Sequence, residues 1–209
     1  MKIIDISTWK RAEHYRFFIT ADYPQYNICM NIDITNFLAI TKTKKLSFYY
    51  AMTYAATDIA NRVEEFRYRI RGEQVVLHER THPSFTNITP GEELFKLVTV
   101  ELEDSMEEFV QSAKKISGSQ TSLFAPGDND VRDDVVYITC IPWISFTSLS
   151  HTMKIQKEDS VPRISWGKYF AEGERILLPF SVQVNHALVD GIHVGKYVEL
   201  LQQYLNEFE

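Results

Sequence analysis

The residues of this chain best suited to acid–base chemistry lie in one segment, ILLPFSVQVNHALVDGIHVG, residues 176–195. Leu178, Phe180, Val182 and Val184 recur at every second residue, the period of a β-strand. His186 continues that phase, so its imidazole is expected on the apolar side. Burial disfavours the imidazolium, and a neutral imidazole in a desolvated site can take a proton from a hydroxyl. Asp190 precedes Gly191 and an amphipathic run, a position that suits an aspartate N-cap. The same residues equally admit a structural role, a satisfied core histidine and a helix cap. His186, Asp190 and His193 have helix-like spacings, which raises metal binding. The pattern places His186 before the helix, however, and no second cluster supplies the three or four convergent ligands of a zinc site. No metal is expected.

The elements that must position these groups follow from periodicity. Residues 191–208 predict a last helix, with Val194, Tyr197, Val198, Leu201, Tyr204, Leu205 and Phe208 on one face. Tyr26, Ile28, Met30, Ile32 and Ile34 alternate with polar residues and predict a strand. Trp9 to Phe18 and residues 35–41 predict short helices, and Ser47 can cap a longer one through Val63. Residues 66–71 and 74–79 flank Arg71-Gly72-Glu73 and predict a hairpin. Strands are expected near 83–88, 95–101, 135–141, 144–150, 163–170 and 175–185, with a helix from Asp104 or Ser105 to Ile116. Residues 117–134 read as a long surface loop, a kind of segment that is often functional. The class is mixed α/β with a mostly antiparallel or mixed sheet. No repeat or Gly/Ser linker divides the chain, so one domain over 1–209 is expected.

With 44% hydrophobic and 24% charged residues, the 209-residue chain holds enough apolar material for a real core. A net charge of -6 leaves no basic face for a nucleic-acid partner. The densest basic run, Lys42, Lys44 and Lys45, reads as a solvated turn. Cys29 and Cys140 lack a CxxC spacing and read as small buried hydrophobes, not a disulfide framework. The start, MKIIDISTWKR, does not have the pattern of a signal peptide. No run approaches the ~18 apolar residues that span a bilayer. A cytoplasmic protein without membrane contact is expected.

HALVDG matches the HxxxDG motif of chloramphenicol acetyltransferases and of the catalytic domains of dihydrolipoamide acyltransferases. QVNHALVDGIHVG resembles the chloramphenicol acetyltransferase signature along its length. PWISFTS (142–148), SWGKY (165–169), WKRAEHY (9–15), EFRYRI and HPSFT (82–86) resemble further blocks of that family. The resemblance covers nearly the whole chain, and the lipoyl and linker regions of the dihydrolipoamide enzymes are missing from it. It implies a two-layer α/β sandwich, chloramphenicol acetyltransferase-like, assembled as a homotrimer with sites at subunit interfaces. It implies transfer of acetyl from acetyl-CoA, a co-substrate, to a hydroxyl, with chloramphenicol the family's usual acceptor. His186 takes the place of the general base.

The resemblance extends to further residues. Thr139, four residues before Trp143, stands where the family has a serine that donates to the oxyanion, and Ser165 where it has a threonine acting through a water. Asp190 and Arg11 match a structural ion pair. Lys168 and Tyr169, and less strongly Tyr49, match positions near CoA. Phe18 and Phe95 keep the aromatic character of the acceptor pocket. Leu149, His151, Met153, Leu97, Asp22 and Pro24 depart from it, and Asn185 replaces the first histidine of the usual pair. A histidine in an apolar pocket needs partners to offset its desolvation. A relative that binds ligand without turnover, or a trimeric core within a larger complex, are the rival readings.

Overall fold

The computed structural model describes residues 1–125, 132–153 and 158–209. Along the chain run β1 (Lys2–Ile4), α1 (Ala12–Phe18), β2 (Gln25–Asp33), α2 (Thr35–Thr43) and α3 (Phe48–Asn61). A 3-10 turn at Glu64–Arg67 leads into β3 (Tyr68–Arg71) and β4 (Gln74–Leu77). Then come β5 (His82–Ile88), β6 (Phe95–Thr99), α4 (Met106–Ser119) and β7 (Val135–Ile141). The chain continues through β8 (Arg163–Gly167), β9 (Phe170–Glu172), β10 (Arg175–Asn185) and α5 (Gly191–Glu207).

The class is α/β with a mixed, mostly antiparallel sheet. The larger sheet has seven strands in the order β2-β10-β8-β7-β5-β6, with β9 paired to β10. Among the described residues, only the β8–β7 and β7–β5 pairs are parallel. A small antiparallel sheet, β1-β4-β3, stands apart from it, its hairpin turning on Gly72 at φ +58°. That left-handed value suits a residue without a Cβ.

Helices cover one face of the large sheet. Ala51, Ala55, Ala56 and Ala60 of α3 are fully buried in one core with Phe85, Ile138, Trp166 and Phe180 of the strands. Small side chains let this helix lie close to the sheet while the strands supply the bulk. α5 buries Val194, Tyr197, Leu201 and Leu205, and packs Val198, Tyr204 and Phe208 against the core edge, the stripe expected from its sequence. Each fully buried Leu contributes about 1.5–3 kcal/mol of transfer energy. No helix among the described residues is long and apolar enough to cross a membrane.

Three expected segments differ. Residues 144–150 form no strand, although Ile144 and Phe146 alternate with polar residues. Pro142 has no N–H to pair after β7 ends, and the chain turns there, with Ile144 N–H bonded to the Ile141 carbonyl at 3.3 Å. The segment then lies against Gly167, where a Cβ would stand 2.6 Å from the Ile144 carbonyl oxygen. The strand expected over 163–170 splits into β8 and β9, interrupted where Lys168 N–H bonds the Ile144 carbonyl at 2.8 Å. Of the loop expected over 117–134, α4 takes residues up to Ser119, and 126–131 lie outside the described residues. The strand β1 was too short to carry a period of its own.

Candidate active site

β10 pairs with β2 over nine residues, Leu177 with Asp33 through Asn185 with Gln25. His186 is the next residue, and its N–H extends the ladder to the Pro24 carbonyl at 2.7 Å. Val184 faces Tyr26 across the pair, so both lie on the helix-covered face. The His186 ring lies there too, 4.7 Å from the Tyr26 ring and stacked on Phe18 at 3.8 Å with an 8° tilt. This is the apolar side that the strand phase predicted.

Arg11 holds the turn that follows. Its Nε donates to the Ala187 carbonyl at 2.8 Å and Nη2 to the His186 carbonyl at 2.8 Å. Nη2 also reaches Asp190 Oδ1 at 2.6 Å, and Nη1 bonds Oδ2. The Arg11 bonds hold the Asp190 carboxyl below the usual carboxylate range, against a smaller opposing effect of burial. Asp190 therefore stays a carboxylate, and Oδ1 lies 3.1 Å from His186 Nδ1. That contact is electrostatic, for Nδ1 is sealed from solvent and has no hydrogen-bond partner in line. The side chain as a whole is 35% exposed, so the open part of the ring is its other edge. Asp190 begins α5 with its carboxylate given to Arg11. The first turn is closed by His193, whose Nδ1 accepts from Asp190 N–H at 2.9 Å.

A second set of expected residues lies on the opposite face. Thr139 of β7 pairs with Ser165 of β8, and Ser165 with Ser181 of β10. Ser181 points away from the face of Val182 and Val184 because successive residues of a strand alternate. Thr139 and Ser165 therefore lie on the face the helices leave uncovered. Ser165 is buried, and its hydroxyl lies 3.0 Å from His151 Nε2. Burial first, and Arg163 second, hold the His151 imidazole below the ordinary histidine range. Thr139, His151, Met153, Phe95 and Leu97 share one cavity of about 690 Å³ on this face. The Thr139 hydroxyl makes no hydrogen bond among the described residues, and it is not a sealed atom.

The remaining expected residues are placed as follows. Met153 Sδ lies 3.3 Å from the Tyr23 hydroxyl and 3.3 Å from Gln183 Nε2. The Leu149 carbonyl accepts from Asn27 Nδ2 at 2.7 Å, and Asn27 Oδ1 accepts from Ser181 at 2.8 Å. Lys168 is exposed, and Tyr169 is exposed with its ring 6.2 Å from Phe48. Tyr49 packs against the core, its hydroxyl bonded to the Thr86 carbonyl and shifted upward by burial. Asp22 is exposed and Pro24 buried. Asn185 bonds Asp159 and the N–H of Ala187, bracing the turn beside His186.

The structure thus brings His186, Asp190, Arg11 and Phe18 together, and brings Thr139, Ser165, His151, Met153 and Phe95 together, on two faces of one sheet. Sequence reasoning missed Tyr26, whose ring lies tilted at 4.7 Å from that of His186 and whose hydroxyl bonds the Val189 carbonyl at 3.2 Å. Burial pushes its hydroxyl up to about 12. Its place in the apolar phase of β2 was the available signal, and the pairing with Val184 that brings it to His186 was not. Among the described residues, no group of three His, Cys, Asp or Glu side chains is arranged to hold a metal ion.

Comparison with known proteins bears on the family and the fold. A family model described as chloramphenicol acetyltransferase matches residues 1–202. A chloramphenicol acetyltransferase of a Klebsiella species is 30% identical over 209 residues, spanning 99% of this chain and 94% of that one. Chloramphenicol acetyltransferase 3 of Escherichia coli is 28% identical, spanning 97% and 95%. A solved chloramphenicol acetyltransferase structure superposes with a TM-score of 0.90 at 24% identity, covering 98% of this chain and 99% of that one. The dihydrolipoamide acetyltransferase of Azotobacter vinelandii follows at 0.71 and 15%, covering 94% and 86%, a likeness of fold alone. With a family match over nearly its full length, the chain belongs to the chloramphenicol acetyltransferase family.

Proposed function

We propose that this protein transfers acetyl from acetyl-CoA to a hydroxyl of chloramphenicol or a similar small molecule, with His186 as general base. The observation that carries the reading is the asymmetry of the His186 ring. Its Nδ1 is sealed against Asp190, while the ring's other edge is open. A carboxylate beside Nδ1 favours the proton there, which leaves the Nε2 lone pair free for a hydroxyl.

In the reaction the acceptor hydroxyl gives its proton to Nε2 as its oxygen attacks the thioester carbonyl. The carbonyl electron pair moves onto oxygen, where the Thr139 hydroxyl donates a hydrogen bond. Collapse expels the CoA thiolate, which recovers the proton from the imidazolium. Proton transfer of this kind contributes about 10²–10⁴-fold, and holding two substrates together adds proximity. Exposed Lys168 and Tyr169 supply a cation and a ring suited to the phosphates and adenine of CoA.

The two halves of the site support an oligomer. His186 and Thr139 lie on opposite faces of the same sheet, five strand residues apart in register between Ser181 and His186, roughly 17 Å. In this reading a second copy brings its His186 to the uncovered face, and a homotrimer closes that arrangement symmetrically. Incubation with acetyl-CoA and chloramphenicol, read by thiol release, tests the function. Release is expected. Release with another hydroxylated acceptor alone keeps the chemistry and changes the substrate, and no release with any acceptor contradicts it.

The Arg11–Asp190 pair acts through geometry. Arg11→Val removes both bonds to the carbonyls of 186 and 187 as well as the ion pair, and Asp190→Asn removes the charge facing Nδ1. Each is expected to lower kcat by about tenfold to a hundredfold, since small misplacements of a reacting group cost that much. Steady-state kinetics check this, and wild-type turnover in both variants would remove the pair from the account.

A further inference from the structure

Asp190 also borders a cleft of about 390 Å³ that His186 does not line. His193, in the first turn of α5, faces this cleft. Its Nδ1 accepts the backbone N–H of Asp190 at 2.9 Å, while its own N–H reaches the Asp190 carbonyl at 3.0 Å. Its Nε2 lies 3.4 Å from Glu65 Oε1, on the 3-10 turn that follows α3. An accepting Nδ1 carries no proton, so the hydrogen of the neutral ring is on Nε2 and points towards Glu65. The ring therefore ties the start of α5 to the 3-10 turn, at the residue that abuts His186.

We infer that His193, oriented by Glu65, is a positioning residue for His186, and that its neutral form is required to hold the Asp190 backbone in place. This rests on His186 being the base of the proposed transfer. The argument is one of hydrogen-bond polarity. Protonating His193 turns Nδ1 into a donor facing the Asp190 N–H, another donor. The bond is lost, and the N-cap residue is then held only by the Arg11 bonds to its carboxylate and the α5 bonds to its carbonyl, which lets it shift. Asp190 carries the carboxylate 3.1 Å from His186 Nδ1 and the oxygens bound by Arg11, so its shift moves both.

The surroundings set the direction of the titration. Lys10, Arg11 and His14 share the cleft from the N-terminal side, and Glu64, Glu65 and Tyr68 from the 3-10 turn and β3. Asp190 and Lys196 act from α5 itself. Burial has the largest effect and disfavours the imidazolium. Glu65 opposes it, Arg11 adds to it, Asp190 opposes it and Lys196 adds to it, with a net shift below the ordinary histidine range. The bond is thus present at neutral pH and is lost as pH falls through that lowered value.

Three variants test this alongside the wild type. His193→Leu removes the acceptor and is expected to lower kcat by about tenfold or more with little change in either KM. His193→Gln keeps an acceptor of the capping-box kind, so it is expected to recover most of that loss and to flatten the acid limb of the kcat profile. Glu65→Gln removes the charge that favours the imidazolium, so the acid limb is expected to move to lower pH. Equal losses in His193→Leu and His193→Gln, with both folded by circular dichroism, would overturn the inference. So would an acid limb unmoved by Glu65→Gln. Histidine ring NMR spectra need no turnover and separate this inference from the function it rests on. The His186 signals are expected to shift as His193 titrates in the wild type and not in His193→Gln. Absence of that shift overturns the positioning role even in an active enzyme.

Discussion

Replacing His186 with alanine is expected to lower kcat/KM for acetyl transfer by about 10²–10⁴-fold, the usual contribution of a positioned general base. The fold should survive. The ring packs on Phe18 and Tyr26 at the edge of the core and is 35% exposed, so its loss opens the site without leaving a sealed void. The bonds of the 186 and 187 carbonyls to Arg11 come from the main chain and remain. Activity left in the variant reflects proximity and oxyanion stabilisation, which do not depend on the imidazole. Thiol-release kinetics with saturating acetyl-CoA, together with a thermal melt, check both halves of the statement. A variant within threefold of wild type would remove His186 from the chemistry.

Thr139→Val is expected to lower kcat by about 10²–10³-fold, the cost of losing one oxyanion donor. Valine nearly matches threonine in shape, so the side chain's packing on β7 is kept. The Thr139 hydroxyl is not committed to any described residue, and the variant therefore breaks no bond of the resting protein. This separates a transition-state role from a structural one. Thr139→Ser keeps the donor and is expected to retain most of the turnover. Ser165, bonded to His151, is already spoken for on that side, so it cannot replace the missing donor without giving up its partner. Steady-state constants for the two variants decide the matter, and equal activity of Thr139→Val and wild type would assign the oxyanion to another group.

Much of this was legible in the chain because it is local. The alternation that ends at His186 set the face of its ring, and the α5 stripe set the helix that carries Asp190. What was not legible depends on register and tertiary contact. That Thr139 and Ser165 lie on the face opposite His186 follows from the pairing of Thr139 with Ser165 and Ser165 with Ser181, and parity across strands is not written in any one segment. The 144–150 segment carries the period of a strand, yet Pro142 and the close approach at Gly167 turn it aside. The His151–Ser165 contact joins irregular backbone to a strand, where no periodicity guides a reading. Arg11 is 179 positions from Asp190, and only the resemblance suggested their pairing. The spacing of His193 from His186 and Asp190 says nothing of the bond that its Nδ1 accepts from Asp190 N–H, which closes the first turn of α5.

The most direct test mixes two inactive proteins. His186→Ala retains Thr139, and Thr139→Val retains His186. If the acetyl transfer site joins His186 of one copy to Thr139 of another, denaturing, mixing and refolding the two variants should restore thiol release, up to about a quarter of wild-type activity under random assortment in a closed ring. Mixed protein no more active than either variant alone would show that no site forms between copies, and would contradict the account.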